Sequence, residues 1–288
     1  MESKLVFQDE TEMKRLSVQN TLLSSYEEPI LDALIKGKQD VTVLDVGCND
    51  GRKTVKRFSS PLVARVIGLE YNEELSRKAQ KKYGDGRFTF LHLDVERNDF
   101  ALILEELLKE KNVEQFDIIY LSFLLMHLKD ARKFLTSLRP FLKKEGKLFI
   151  IEADDSSSLL QGDKNNLLKE FLEILSKDKY SGNREMGKNI TSTLLECGYH
   201  EIKVWHTAIS AGKGEIEKKE MIFTTFFSYL SEDVKILLDS EPENDDYKAW
   251  DMWLKNNFNT LKELVLMDES EITMGMKILT AGKGGDDV

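Results

Sequence analysis

The stretch Val41-Thr42-Val43-Leu44-Asp45-Val46-Gly47-Cys48-Asn49-Asp50-Gly51 constrains this chain more than any other. A β-branched apolar run ends near an acid, two glycines bracket a short polar loop, and residues 53–58 open as a helix. A strand buried on both faces of a parallel sheet has the first pattern. A strand-to-helix turn that presents backbone to a ligand has the second, because glycine takes positive φ and carries no Cβ. The helix start beyond Gly51 aims free N–H groups at the same point. A glycine-containing turn is common in α/β domains and is weak evidence alone. The weight therefore falls on what surrounds it.

Residues 11–36 read as helix, with apolar positions at three- and four-residue steps and Pro29 expected to break the run in two. After the glycine loop, 64–70 reads as a second strand, Asn72 as the N-cap of a helix over 73–83, and 88–95 as a third strand. A helix over 99–110, a strand over 116–122, a helix over 130–142 and, after a turn at Gly146, a strand over 147–152 follow. This alternation predicts right-handed βαβ units and a parallel sheet covered on both faces. Farther on, 167–175 and 186–196 read as helices and 199–206 as a strand. An aromatic-rich helical stretch over 215–256 is interrupted by the acidic loop 239–246, and 274–280 is the last strand. The expected fold is α/β: a doubly wound, Rossmann-like seven-stranded sheet with N-terminal helices and a helical insertion before the last strand. The expected boundaries are a helical cap over 1–39, a sheet domain over 40–210 and 272–284, and a helical lid over 211–271, with a frayed polar tail.

The formal net charge of −10 and pI near 5.1 argue against nucleic acid or an anionic membrane as the main partner. No apolar run approaches the length of a membrane span, and residues 1–5 lack the apolar core of a signal peptide. Two cysteines, Cys48 and Cys197, form neither a disulfide framework nor a zinc site. The expectation is a cytoplasmic protein with no metal.

Three acids sit at strand ends, where open α/β sheets bind ligands. Glu70 is placed to accept hydrogen bonds from two adjacent ribose hydroxyls. Asp94 can accept from an exocyclic amino group of adenine, and Asp45 can orient the glycine loop or meet an ammonium group. Each alone reads as a cap or a solvated strand end; together they converge on one crevice with Ser122. His92 reads as a structural residue inside the third strand.

With these residues in view, the chain resembles a class I S-adenosylmethionine-dependent methyltransferase. Residues Val43 to Gly51 are similar to that family's glycine-rich motif, with Asn49 in place of its middle glycine, a substitution that tolerates positive φ. Glu70 matches the ribose-binding acid, and Leu93-Asp94-Val95 the adenine-side motif. Leu124-Leu125-Met126-His127-Leu128 and Leu138 to Lys147 resemble later segments. The pattern Arg15-Leu16 with Gln19, then Asn183 to Gly187 and Cys197-Gly198-Tyr199, resembles the subgroup with a type 11/25, UbiE-like domain. The resemblance implies S-adenosyl-L-methionine as cofactor, held by Asp45, Gly47, Cys48, Asn49, Gly51, Glu70, Tyr71, Asp94, Val95 and Ser122, with Arg15 and Gln19 as further candidates.

Methyl transfer from a sulfonium is mostly a matter of positioning, and a base is required only where the nucleophile starts protonated. His127 is the candidate base. Arg184 is a candidate substrate contact through bidentate binding of a carboxylate, and Tyr26, Tyr229 and Trp250 are candidate pocket residues. The implied reaction is methylation of O or N on a small molecule or peptide, including a peptide carboxylate. Two alternatives remain: a non-catalytic binding module on this fold, and a nicotinamide oxidoreductase, disfavoured because no glycine stands two residues after Gly47.

Overall fold

The structure, a computed structural model, describes residues 10–284. The expectations for residues 1–9, including the start of the helical cap, and for the tail at 285–288 lie outside the described residues. Among the described residues there are eight strands: β1 (Val41–Val46), β2 (Val63–Glu70), β3 (Phe88–His92), β4 (Phe116–Ser122), β5 (Leu142–Ala153), β6 (Leu159–Leu160), β7 (His200–Ala211) and β8 (Ile272–Gly282). The helices are α1 (Glu10–Ile35), α2 (Arg52–Arg57), α3 (Glu73–Tyr83), α4 (Phe100–Glu110), α5 (Ala131–Leu138), α6 (Leu167–Lys177), α7 (Met186–Glu196), α8 (Ile216–Phe226), α9 (Leu230–Ser240) and α10 (Asp245–Leu266). None among the described residues is long and apolar enough to cross a membrane.

The chain divides into two compact units. The sheet unit takes Glu27–Ala153, Glu185–Thr207 and the described part of Lys277–Val288; the helical unit takes the rest. The strand order is β3-β2-β1-β4-β5-β8-β6, with β7 paired to β8. β1 runs parallel to both β2 and β4, β2 to β3, and β4 to β5. The order reverses between β1 and β4, so the crevice expected to bind ligand lies at the carboxyl ends of those two strands. The apolar runs are there because these strands are covered on both faces: Val43, Leu44, Ile67, Ile119 and Leu148 are all fully buried. α5 adds Ala131, Phe134, Leu135 and Leu138 from one face. Each such side chain contributes about 1.5–3 kcal/mol on burial.

The doubly wound fold is as expected, with specific corrections. The sheet has eight strands rather than seven, because Leu159 and Leu160 pair antiparallel with Thr273 and Ile272. Pro29 does not divide the first helix; α1 continues through it, losing one backbone hydrogen bond. β3 stops at His92, because Asp94 Oδ1 accepts the Glu96 N–H at 2.9 Å and turns the chain. His92 is exposed at the strand end, not inside it. α5 ends at Leu138, since Pro140 cannot continue the helix. Strand pairing begins at Leu142, opposite Phe116, and Gly146 lies within β5 at a bulge rather than in a turn before it. The stretch over 215–256 is three helices, the third started by Asn244, whose side chain accepts the Asp246 and Tyr247 N–H groups.

The division into units also differs from the expected boundaries. Residues 154–184 belong with the helical unit, and α1 is shared between the two. The cause is aromatic packing: Phe171 of α6 stacks on Phe227 at 4.8 Å between ring centroids, and Phe223 of α8 stacks on Phe227 at 5.0 Å. Phe258 of α10 lies 6.2 Å from Phe171.

Candidate functional site

The glycine loop is shaped by its own main chain. The N–H groups of Gly47 and Cys48 both donate to the Leu69 carbonyl, at 2.8 and 3.0 Å, which ties the loop to the end of β2. Gly47, Asn49 and Gly51 all take positive φ, at 80°, 51° and 75°. Asn49 thus adopts the conformation expected of the glycine it replaces. A Cβ on Gly51 would come within 2.7 Å of the Phe90 ring, so the tight turn excludes a side chain there. Asp45 is buried and accepts the Thr54 hydroxyl at 2.6 Å, joining the end of β1 to α2. Burial pushes its carboxyl up, against the Thr54 hydrogen bond and the charges of Lys53 and Arg57. The Cys48 thiol is buried too, and burial with the charges of Asp45 and Glu70 holds it far from ionisation.

Glu70 closes β2 with both carboxylate oxygens fixed. Oε2 accepts the Asn49 N–H and Oε1 the Asn72 N–H, each at 2.9 Å. Each oxygen keeps a further lone pair, so the side chain is oriented and still able to accept from two hydroxyls. Burial raises its pKa, opposed by the backbone donors at Asn72, Asn49 and Tyr71. The ring of Tyr71 is 49 % exposed alongside. The Leu93 N–H donates to the Glu70 carbonyl at 3.0 Å, and this bond brings Asp94 and Val95 beside the same acid.

At the end of β4, Ser122 Oγ accepts Lys53 Nζ at 2.9 Å. Lys53 leads to a group of residues that sequence reasoning missed. Glu27 of α1 is fully buried and accepts Arg57 Nη2 at 2.8 Å and the Tyr120 hydroxyl, with Lys53 Nζ 3.8 Å away. Burial, then the Arg57 charge, lower the Lys53 pKa to about 8 against the opposing pull of Glu27 and Asp45. The one sequence signal was Lys53 and Arg57 four residues apart on one helix face. After Ser122, Phe123 takes φ of 51°, a conformation that costs an aromatic residue roughly 1–3 kcal/mol. It is held by its N–H on the Ile151 carbonyl at 2.8 Å, while Leu124 and Leu125 donate to the buried Glu152 at 3.0 and 2.6 Å. A Cβ on Gly47 would lie 3.3 Å from Leu124 Cδ1, so this turn packs against the glycine loop. His127 is exposed in the 3-10 turn that follows.

Six expected site residues, Arg15, Gln19, Tyr26, Arg184, Tyr229 and Trp250, lie in the helical unit. Arg15 grips Glu12 through Nε and Nη2, at 2.7 and 2.6 Å, and donates through Nη1 to Gln19 Oε1 and the Thr225 carbonyl. Arg184 grips Asp155 bidentately, both bonds at 2.9 Å. Both guanidinium groups are thereby committed to an acid of their own unit. The Tyr229 ring lies 5.0 Å from Arg15 and the Tyr26 ring 5.6 Å from Lys218 Nζ, while Trp250 is buried against Tyr247. A surface cavity of about 410 Å³, lined by Glu28, Asp32, Lys56 and Ser59, lies toward Val63 at the start of β2. It contains none of the expected site residues.

Asp233 of α9 is 2 % exposed and hydrogen-bonded to Asp178. Burial, then the Asp178 charge, raise its pKa to about 8. A raised carboxyl binds a proton in the folded state that the unfolded state has already released, so its stabilising effect is complete below about pH 4 and gone above about pH 8. Urea denaturation between pH 5 and 8 is expected to show wild type losing about 1 kcal/mol per pH unit relative to Asp233→Asn. Parallel profiles would remove the shared proton from the account.

The sheet unit therefore presents an oriented acid, accessible loop backbone and a second acid turn at one switch point. These are the features that hold a nucleoside, and their geometry fits the adenosine part of S-adenosylmethionine. A family model described as a methyltransferase domain matches residues 37–248. The chain belongs to this family, and its class is that of the class I S-adenosylmethionine-dependent methyltransferases; the UbiE-like subgroup gains no support. No curated protein matches the chain. Among solved structures, a Bacillus halodurans C-125 protein described as a methyltransferase superposes with a TM-score of 0.54 at 17 % identity, covering 90 % of this chain and 100 % of its own. The YcgJ protein of Bacillus subtilis gives 0.52 at 14 %, covering 91 % and 100 %. The [4+2]-cyclase SpnF gives 0.50 at 11 %, covering 96 % of each chain. At these identities the structural matches establish the fold alone.

Proposed function

We propose that this protein transfers a methyl group from S-adenosylmethionine to an O or N acceptor on a small molecule or peptide. The observation that carries the reading is Glu70, whose two oxygens are fixed by the main-chain N–H groups of Asn49 and Asn72. Glu70 would take the two ribose hydroxyls, Asp94 and Val95 the adenine edge, and the main chain of Gly47 to Gly51 the region between β1 and β4. When bound, the cofactor supplies a methyl group on a sulfonium, already a good leaving group. The protein's part is to hold the donor, exclude water and align the acceptor. Phe123 and Leu124, fixed by Ile151 and Glu152, would form an apolar wall of the crevice. His127 is the candidate base if the acceptor starts protonated.

A carboxylate acceptor loses its main support, because Arg15 and Arg184, the cations it required, are each paired with an acid. The net charge of −10 supports an acceptor other than nucleic acid, and the reading includes a cytoplasmic location. The fold does not by itself dictate methyl transfer, as the cyclase of the same fold illustrates. The test is calorimetric titration with S-adenosylhomocysteine, with NAD as control. Micromolar binding of the first and none of the second is the expected result. Binding of neither would defeat the reading; binding without any methylated product across O and N acceptors would favour a non-catalytic module.

A further inference from the structure

Within the sheet unit, Lys53 lies between the buried Glu27 group and the crevice, and its amine is only partly used by either. Nζ donates to Ser122 Oγ at 2.9 Å, while Glu27 Oε1 is 3.8 Å away, beyond hydrogen-bonding distance. Two of the three N–H donors on Nζ therefore have no hydrogen-bond acceptor among the described residues. Glu27 cannot turn to them. Arg57 engages both of its oxygens, with Nη2 2.8 Å from Oε1 and Nε 2.6 Å from Oε2, and the Tyr120 hydroxyl also donates to Oε2. The charged and titratable groups facing Lys53 are Glu27 from α1, Asp45 from β1, Arg57 from its own helix and Tyr120 from β4. Asp45 is turned to the Thr54 hydroxyl. Two cations thus share one acid in contact, and Arg57 has most of it. Strand register places the amine in the crevice. Val46 of β1 pairs with Leu69 of β2 on one side and Leu121 of β4 on the other. The next residues are Gly47, Glu70 and Ser122, so Glu70 and Ser122 flank the glycine loop, two strand spacings or about 9–10 Å apart.

We propose that Lys53, held in place by Ser122, binds a ligand carboxylate and makes the crevice select a nucleoside with an acidic tail, the amino-acid end of the cofactor. A carboxylate supplies acceptors for both idle N–H groups and the negative charge that Glu27 gives to Arg57. A hydroxyl or an amide would satisfy the donors and leave the charge unmet. A phosphate carries more charge than one amine balances, beside the acids Asp45 and Glu70. Burial and the Arg57 charge disfavour the ammonium form of Lys53, and an anion at Nζ offsets both. A ligand whose ribose lies on Glu70 and whose tail crosses the glycine loop toward β4 delivers its carboxylate to this amine.

Assigning that tail to the cofactor rests on the methyltransferase reading. An acceptor's carboxylate has the same chemistry, so the test keeps the two sources apart. It is calorimetry on the full chain with three probes. These are S-adenosylhomocysteine, 5′-methylthioadenosine, which lacks the amino-acid tail, and acetate added to the chain loaded with 5′-methylthioadenosine. Lys53→Met is expected to bind S-adenosylhomocysteine at least about tenfold more weakly than wild type, and 5′-methylthioadenosine equally well. An equal loss for both nucleosides would make Lys53 a support of the loop and overturn the proposal. Loss of acetate binding alone would put the carboxylate on the acceptor and overturn the assignment to the cofactor. Should Lys53→Met not fold, the wild type decides through 5′-S-(3-carboxypropyl)-5′-thioadenosine, which keeps the tail without its amino group. Its affinity must fall by up to about tenfold from pH 7 to 9, as Nζ loses its proton, while that of 5′-methylthioadenosine stays level. A parallel pH dependence of the two overturns the proposal. Binding of both nucleosides with no effect of Lys53→Met sinks this inference and leaves the methyltransferase reading intact. Binding of neither to the wild type sinks that reading and the assignment with it.

Discussion

Glu70→Ala is expected to weaken S-adenosylhomocysteine binding by about 100-fold, measured by calorimetry, while the domain stays folded. A carboxylate that accepts two ligand hydroxyls supplies two charge-assisted hydrogen bonds, each about 1.5–3 kcal/mol. Losing the pair removes roughly 3 kcal/mol, and 1.4 kcal/mol is a factor of ten. The folded state also loses the acceptor for the Asn49 and Asn72 N–H groups, now at 2.9 Å. Asn49 and Asn72 are near the surface, so water replaces the acid at modest cost. Affinity must therefore fall much further than stability. Equal affinity in mutant and wild type would show that the nucleoside does not lie along Glu70, and with that the placement of Asp94 and the glycine loop would fall too.

The part of this site that was legible in the sequence is the part built from local rules. The glycine loop, the acid that ends β2 and the Asn72 cap each depend on residues a few positions apart, and each stands where the pattern put it; the Asn72 side chain accepts the Leu75 N–H at 3.0 Å. β4 and α7 have their expected limits because apolar run and helical period both end sharply there. What the sequence hid is long-range. Glu27 lies 30 residues from Arg57 and 93 from Tyr120, and nothing in its neighbourhood marks it as buried. Arg184 read as a substrate contact because Asp155 is 29 residues away. The same cause hid the Asp178–Asp233 pair, since an acid at the end of α6 and another in the first turn of α9 both read as solvated helix ends. Pro29 misled for the opposite reason: a local rule, sound on average, was overridden by a helix that stays continuous around it.

These differences separate two kinds of polar residue in the sheet unit. Glu70 and Ser122 end β2 and β4, and Asp94 lies in the turn just after β3, where the side chains keep lone pairs for a ligand. Glu27, Arg57 and Tyr120 sit deeper, at 0 %, 4 % and 1 % exposure. Arg57 Nη2 and the Tyr120 hydroxyl both donate to Glu27, while Arg57 Nη1 has no hydrogen-bond partner among the described residues; through Lys53 the group reaches Ser122 at the mouth of the crevice. Changes at the strand ends should act on binding. Changes to the deeper group should act first on folding.

Glu27→Ala is the sharpest test of that division, with an expected loss of about 3–5 kcal/mol in stability. Removing the acid leaves the Arg57 guanidinium buried without its counter-charge, although its Nη2 now donates to Glu27 at 2.8 Å. It also deprives the Tyr120 hydroxyl of its acceptor in a core where that ring stacks on Phe149 at 5.3 Å. Breaking one half of a buried pair is costly because the other half cannot return to water. The double variant Glu27→Ala with Arg57→Met removes both charges and should recover a large part of the loss, a coupling that a double-mutant cycle in urea reads directly. Loss of the acid also frees Lys53 from an attraction that raises its pKa, so Lys53 should titrate lower in the single variant. A loss below about 1 kcal/mol, the range of exposed ion pairs, would mean that water reaches Arg57, and the buried pairing of Glu27 with Arg57 would have to be abandoned.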